Sequence, residues 1–395
     1  MSPSARSVAA RARRLVVKVG SSVLTRDGRV RSRAFADVAR QVSALHDEGR
    51  EVVLVSSGAV AIGSHTLGWS HPGRSIPEKQ AAAAVGQIGL SEIYKRRFAA
   101  HGKRVAQVLV TRTGLEDRER FLNARRTLST LLRLGVVPVV NENDTVATDE
   151  IRFGDNDNLS ATVVNLIAAD LLVLLTNVDG LLASAPVPGE PPPPLFDVVE
   201  EITPAVLRAA RGPGSAFGRG GMTTKLEAAR TAARSGCATV VCNGLSRDVV
   251  LRVAAGEPVG TLFSAQARLR SRKHWLAFTT RARGEIVLDD GAVRALRERG
   301  RSLLPAGVLA VRGRFRVGDV VACVDQRGAE VARGLVSYSA LETDRIKGLS
   351  TKRIAEVLGY SNGDEVIHRD DLVLSSASPD TPITQEPEAG GGKGA

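Results

Sequence analysis

The sequence predicts an α/β protein: a parallel-rich sheet sandwiched by helices, followed by a small, mostly-β domain. Three observations carry this. Short runs of Val and Leu recur between longer helical patterns. The runs are apolar throughout, as in strands covered on both faces, where a half-exposed strand would alternate. After Phe263 the strand patterns shorten and turn residues punctuate them, which is the signature of a compact β module. The length of 395 residues agrees, since one core rarely organises more than about 250–300.

Taken in order, residues 1–14 hold four arginines and no acid and read as a disordered tail. Strand patterns follow at 15–19, 51–55, 104–110, 136–140, 171–175 and 239–242. Segments 32–46, 81–99, 119–134, 159–168 and 225–235 are long enough for the crossover helices that parallel strands require. This first domain spans 15–263, with Pro191 to Pro194 marking an exposed loop. Residues 264–283 carry six basic side chains and no acid, a solvated linker. Strand patterns at 285–288, 307–311, 320–324 and 331–336 then build a domain over 284–374. The segment 375–395, with three prolines and a triple glycine, lacks the apolar content to order and reads as a disordered tail.

The net charge of +12 raises the possibility of a nucleic-acid partner, but the N-terminal tail and the linker hold ten of the basic residues, while 284–374 balances 14 basic against 14 acidic residues. That placement makes nucleic-acid binding an unfavoured reading. Arg312, Arg314 and Arg316 keep it open, because in strand geometry they alternate onto one side. The three cysteines, Cys237, Cys242 and Cys323, have no C-x-x-C spacing and read as core residues. No run approaches the roughly 20 apolar residues of a membrane span, and the first residues lack a signal's apolar region. A cytoplasmic location is expected.

Ligands of such sheets bind beyond the carboxyl ends of the strands, so the loops there carry the chemistry. The first strand ends in Val17-Lys18-Val19-Gly20-Ser21-Ser22, where Gly20 lets backbone approach an anion and Lys18 supplies positive charge. A lysine that merely snorkels from its strand is the alternative. The second strand runs into Ser56-Ser57-Gly58-Ala59, a small-residue loop opening a helix, suited to a second anion or simply to a tight turn. It lacks the spacing of a Walker A loop. Asn141-Glu142-Asn143-Asp144 and Gly154-Asp155-Asn156-Asp157-Asn158 cluster groups that bind an amino group or orient a lysine, though Asn and Asp also serve turns and caps. In Phe217-Gly218-Arg219-Gly220-Gly221-Met222-Thr223-Thr224-Lys225 a glycine-rich loop delivers Lys225 to a helix start.

Joined in one chain, these segments resemble the glutamate 5-kinases, enzymes of the amino acid kinase fold that open proline biosynthesis. The resemblance extends over 15–374. It is most specific in the runs from Glu116 to Arg125 and from Val139 to Asp144, in Gly154-Asp155-Asn156-Asp157-Asn158-Leu159-Ser160, and in Gly220-Gly221-Met222-Thr223-Thr224-Lys225. Residues 284–374 resemble a PUA domain, notably in Gly300-Arg301-Ser302-Leu303-Leu304-Pro305 and His368-Arg369-Asp370-Asp371.

The resemblance implies transfer of the γ-phosphoryl group of ATP to the side-chain carboxylate of L-glutamate, giving L-glutamyl 5-phosphate. It further implies Mg²⁺ accompanying ATP, feedback inhibition by proline, and a homo-oligomer. It assigns catalysis to Lys18, Lys225 and Asp157, and glutamate binding to Ser57, Gly58, Asp144 and Asn156. ATP falls to Lys18, Thr176, Asn177, Gly218, Arg219, Gly220, Gly221, Met222, Thr223, Thr224 and Lys225. No protein metal cage is expected. Where the family usually carries Thr-Asp after the fifth strand, this chain has Thr176-Asn177, which puts that nucleotide contact in question. Two alternatives stand beside this reading: a same-fold kinase for acetylglutamate, aspartate, carbamate or a nucleotide, and RNA binding by the PUA-like domain.

Overall fold

The computed structural model describes residues 5–26, 29–147, 156–184, 191, 193–211, 221–265 and 282–375. The chain divides into two compact units, residues 1–272 and 273–395.

In the first unit, β1 (Arg14–Val19) is followed by a small hairpin of β2 (Thr25–Arg26) and β3 (Arg29–Val30). The main strands continue with β4 (Glu51–Ser56), β5 (Arg104–Val110), β6 (Val136–Glu142), β7 (Leu171–Thr176), β8 (Val198–Val199), β9 (Ala238–Asn243) and β10 (Thr261–Phe263). Their order in the sheet is β5-β6-β4-β1-β7-β9-β10-β8. The first six run parallel; β10 is antiparallel to β9, and β8 is parallel to β10. The sequence reading contains neither β8 nor β10, because two- and three-residue strands are too short to display a period.

Helices cover both faces. Leu15, Val17 and Val19 of β1 join one apolar layer with α3 (Ser32–Asp47), α5 (Ile76–Ala99) and α11 (Val249–Ala254). Val16, on the opposite pleat, joins a second layer with α7 (Arg118–Arg133), α8 (Asn156–Ile167) and α10 (Met222–Arg234). Every side chain from Leu171 to Leu175 is fully buried, which explains the unbroken apolar run. Each such Leu stabilises the fold by about 1.5–3 kcal/mol relative to exposure.

Helix α5 starts at Ile76, earlier than its apolar pattern suggests. Ser75 and Glu78 form a capping box with Pro77 in the first turn, satisfying amides that would otherwise lack partners. It packs against α4 (Ala59–Thr66) with almost no side chain between them. A Cβ placed on Gly63 would lie 1.7 Å from the Ala82 carbonyl oxygen, and one on Gly86 would lie 1.8 Å from that of Ala59. Only glycine allows this approach.

The N-terminal segment departs from the expected tail. Residues 7–11 form a short helix, α1 (Ser7–Arg11). Arg6 before it is 5% exposed, and its guanidinium reaches Asp197 and the carbonyls of Glu257, Val259 and Gly260. An arginine in a basic stretch looks solvated from sequence alone; its acceptors lie about 190–250 residues away.

The second unit holds a five-stranded sheet of order β12-β11-β13-β14-β15. These are β11 (Gly284–Leu288), β12 (Val308–Gly313), β13 (Val320–Val324), β14 (Glu330–Leu335) and β15 (Leu372–Leu374). All neighbours are antiparallel except β11 and β13. Ile286, Leu288, Val321, Cys323 and Tyr338 are among the residues of its core, with helices Asp290–Arg299, Ala340–Ile346 and Ile354–Leu358. The expected alternation of Arg312, Arg314 and Arg316 does not form. Strand β12 ends at Gly313 with φ +86°, so the last two arginines leave the strand, and Arg312 pairs with Glu285 at 3.5 Å.

The three cysteines are free and buried. Burial pushes the Cys242 and Cys323 thiols up to about 12, as befits inert core residues. Among the described residues no helix is long and apolar enough to cross a membrane. Ser375, the first residue of the expected C-terminal tail, donates its amide to the Val331 carbonyl; the rest of that tail, and all of the expected linker except its ends, lie outside the described residues.

Candidate active site

The carboxyl ends of β6, β4, β1 and β7, four adjacent strands, converge with the N-termini of α8 and α10. Lys18 sits one residue before the end of β1. The pleat that sends Val17 and Val19 to one layer sends Lys18 to the other, toward α8. There Asp157, in the first turn of α8, holds two cations at once. Lys18 Nζ lies 2.6 Å from Oδ1 and Lys225 Nζ lies 3.1 Å from Oδ2. Thr224 donates its hydroxyl to Oδ2 at 2.8 Å and stands next to Lys225 in the first turn of α10.

The three charged groups are nearly excluded from water, at 6%, 3% and 7% exposure for Lys18, Asp157 and Lys225. Burial pushes the Asp157 carboxyl upward. The charges of Lys18 and Lys225, with hydrogen bonds from Lys18 and Thr224, outweigh burial and hold it below the ordinary carboxylate value. The triad therefore carries a net positive charge of one, which a phosphate can complement.

Beside it, β4 ends in Ser56 and leads through Ser57 to Gly58, whose φ of +105° turns the chain into α4. No side chain caps this helix, which leaves its first-turn amides available to an acceptor, as helix N-termini offer to anions. Asn156, just before Asp157, lies 7% exposed. Its Nδ2 is 3.0 Å from the Ser56 carbonyl, 2.9 Å from Ser57 Oγ and 3.1 Å from Asn141 Oδ1. Asp144 follows in the turn after β6. On the far side, Thr176 closes β7 and donates to Asn177 Oδ1 at 3.4 Å. Gly20 fits between these strands: its amide donates to the Leu175 carbonyl, and a Cβ there would lie 3.1 Å from that oxygen.

The amino acid kinase family matches residues 13–243, and the PUA domain matches 284–358. A curated relative from Paraburkholderia phymatum, a glutamate 5-kinase, is 53% identical over 371 residues, covering 93% of this chain and all of the relative. A glutamate 5-kinase from Burkholderia mallei is 54% identical with the same coverage. The chain belongs to the amino acid kinase family, among the glutamate 5-kinases. A solved UMP kinase from Bacillus anthracis is 18% identical, with a TM-score of 0.45 over 65% of this chain and 97% of that one.

Of the residues that the family resemblance nominates, Lys18, Lys225, Asp157 and Thr224 meet in one ion-paired group. Ser57 and Asn156 meet in another. Gly221 and Met222 open α10, and Thr223 lies in its first turn. Gly218, Arg219 and Gly220 lie outside the described residues, as do Gly154 and Asp155. At the position where the family carries an acid, Asn177 is exposed; two residues on, Asp179 accepts from Asn243 at 2.9 Å, so a carboxylate stands near that strand end.

Sequence reasoning missed the support beneath the site. Tyr94 of α5 is fully buried, with its hydroxyl 2.9 Å from Ser56 Oγ, and Gln87 of the same helix accepts from Asn141. Both sit within a helix whose apolar residues form no clear stripe, where only the i, i+7 spacing marks a shared face.

Proposed function

We propose that the protein phosphorylates the side-chain carboxylate of L-glutamate with ATP, giving ADP and L-glutamyl 5-phosphate, the opening reaction of proline biosynthesis. The observation that carries this reading is the buried Lys18–Asp157–Lys225 group. It lies between Ser57, Asn156 and Asp144 over β4 and β6 on one side and Thr176 over β7 on the other. This strand order supports a reading in which acceptor, phosphoryl group and nucleotide follow one another across the sheet.

Glutamate lies against Ser57, Asp144 and Asn156, with its reacting carboxylate at the Gly58 amides. ATP lies toward Thr176, Asn177 and the 218–225 segment. Lys18 and Lys225 hold the phosphate oxygens and neutralise the charge that spreads over the transferring group. Asp157 keeps both ammoniums aimed and limits their mutual repulsion. A carboxylate attacks in line without a general base, so the chain's task is positioning and charge. Mg²⁺ enters as part of Mg-ATP, held chiefly by the phosphates and water, as suits a cation that dehydrates reluctantly. Inhibition by proline, assembly as a homo-oligomer and a cytoplasmic location complete the reading.

A coupled ADP-release assay tests it. Glutamate should give turnover well above acetylglutamate, aspartate, carbamate and UMP, and added proline should lower it. Preference for any other acceptor would overturn the substrate assignment.

A further inference from the structure

We propose that Gln87 of α5 is a positioning residue through which the site selects a substrate bearing an α-amino group; the proposal rests on glutamate being the acceptor. The argument begins at the Ser56 carbonyl, which can only accept. Asn156 therefore turns Nδ2 toward it, at 3.0 Å, and the same nitrogen faces Asn141 Oδ1 at 3.1 Å. Asn141, only 2% exposed, must then direct Nδ2 the other way, and it donates to Gln87 Oε1 at 2.8 Å. Gln87 Nε2 donates to Ser91 Oγ at 3.3 Å, and the single Ser91 hydroxyl hydrogen has two acceptors in reach, Gln107 Oε1 at 2.8 Å and the Gln87 main-chain carbonyl at 2.9 Å.

The links from Asn156 through Asn141 and Gln87 to Ser91 run in one direction. Reversing Asn141 or Gln87 would set N–H against N–H and oxygen against oxygen, each costing about 1–3 kcal/mol for an unsatisfied buried group. Aligned links also polarise one another. The relay thus holds Asn156 with Oδ1 as an acceptor on the other branch of its amide. Among the described residues that oxygen accepts no hydrogen bond. An ammonium group completes it; a substrate without an amine leaves it desolvated and unpaired.

Helix α5 is built to fix the relay. Gln87, Ser91 and Tyr94 share one face, and Tyr94 holds Ser56 directly. Gly86, adjacent to Gln87, is jammed against the Ala59 carbonyl.

The test uses the full chain with glutamate and with glutarate, which lacks only the amine. Gln87→Met keeps the volume but removes the acceptor for Asn141. It should raise KM for glutamate about tenfold, leave KM for ATP unchanged, and shrink the preference for glutamate over glutarate by a similar factor of about ten. Gln87→Glu keeps that acceptor, and the Ser91 hydroxyl can turn to donate to it. It should bring both quantities back to within about threefold of wild type. A Met variant with wild-type KM and preference overturns the relay, as does a Glu variant as impaired as the Met one. Absence of glutamate turnover in the wild-type protein would instead overturn the acceptor assignment on which the proposal stands.

Discussion

Arg6 and the Lys18–Lys225 pair are all cations buried to within 5–7% exposure in the same unit, yet they are satisfied to different degrees. The Arg6 guanidinium donates through Nε and both Nη atoms. Its acceptors are the Asp197 carboxylate and four main-chain carbonyls, at 2.5–3.2 Å. It staples the segment before α1 to the turns leading into β8 and β10. Lys18 and Lys225, with six N–H donors between them, share one carboxylate. Burial is thus the same at both places; what differs among the described residues is the donor capacity left over and the net charge of the group.

The sharpest way to break the comparison is to remove each cation. Lys18→Met and Lys225→Met should each lower kcat on the order of 10³-fold, about 4 kcal/mol of transition-state stabilisation, while circular dichroism and melting stay close to wild type. Near-normal turnover in either variant would move it to the structural class with Arg6. Removing the shared anion should reach both properties. Asp157→Asn leaves two buried ammoniums face to face, so a loss of about 3 kcal/mol in urea denaturation is expected alongside lost turnover.

The same carboxylate sets an acid limit. Because its folded-state value lies below the unfolded value of 3.8, its contribution is complete above that point and disappears as pH falls below it. The stability gap between wild type and Asp157→Asn should therefore narrow as pH falls below the unfolded value of 3.8; a gap that stays constant on further acidification would contradict the ion-paired state. The smallest effect belongs to the staple. Arg6→Met should cost about 2 kcal/mol of stability, for carbonyls left without their donor, with kcat and both KM values unchanged. A change in kcat would show that the staple reaches the site.

The sequence made much of this comparison legible, but unevenly. The continuous apolar runs at β1, β4, β7 and β9 reveal themselves because both faces are covered. The glycine loops and Lys18 stand at strand ends, where chemistry is expected. The Arg6 staple is invisible, because most of its partners are main-chain carbonyls, which carry no residue identity, and its carboxylate partner, Asp197, lies 191 residues along the chain. The relay through Gln87 is equally hidden: a glutamine within a helix looks like a solvated face until the register of α5 against β6 is known. β8 and β10 are too short to show a period. The α5 start at Ile76, by contrast, was written in Ser75, Pro77 and Glu78, a capping signal stronger than the apolar pattern around it.

The glycine crossing of α4 and α5 has a mechanical consequence. Helices separated by side chains can slide as rotamers readjust, whereas two backbones in direct contact leave nothing to deform. A displacement of one is passed to the other without loss. The loop at Gly58 opens α4, and the face carrying Gln87 and Tyr94 belongs to α5, so the Gly58 loop and the α5 groups beneath Asn141 and Ser56 are joined through one pinned crossing. Distances between them are thereby insulated from movements of the surrounding sheet and loops.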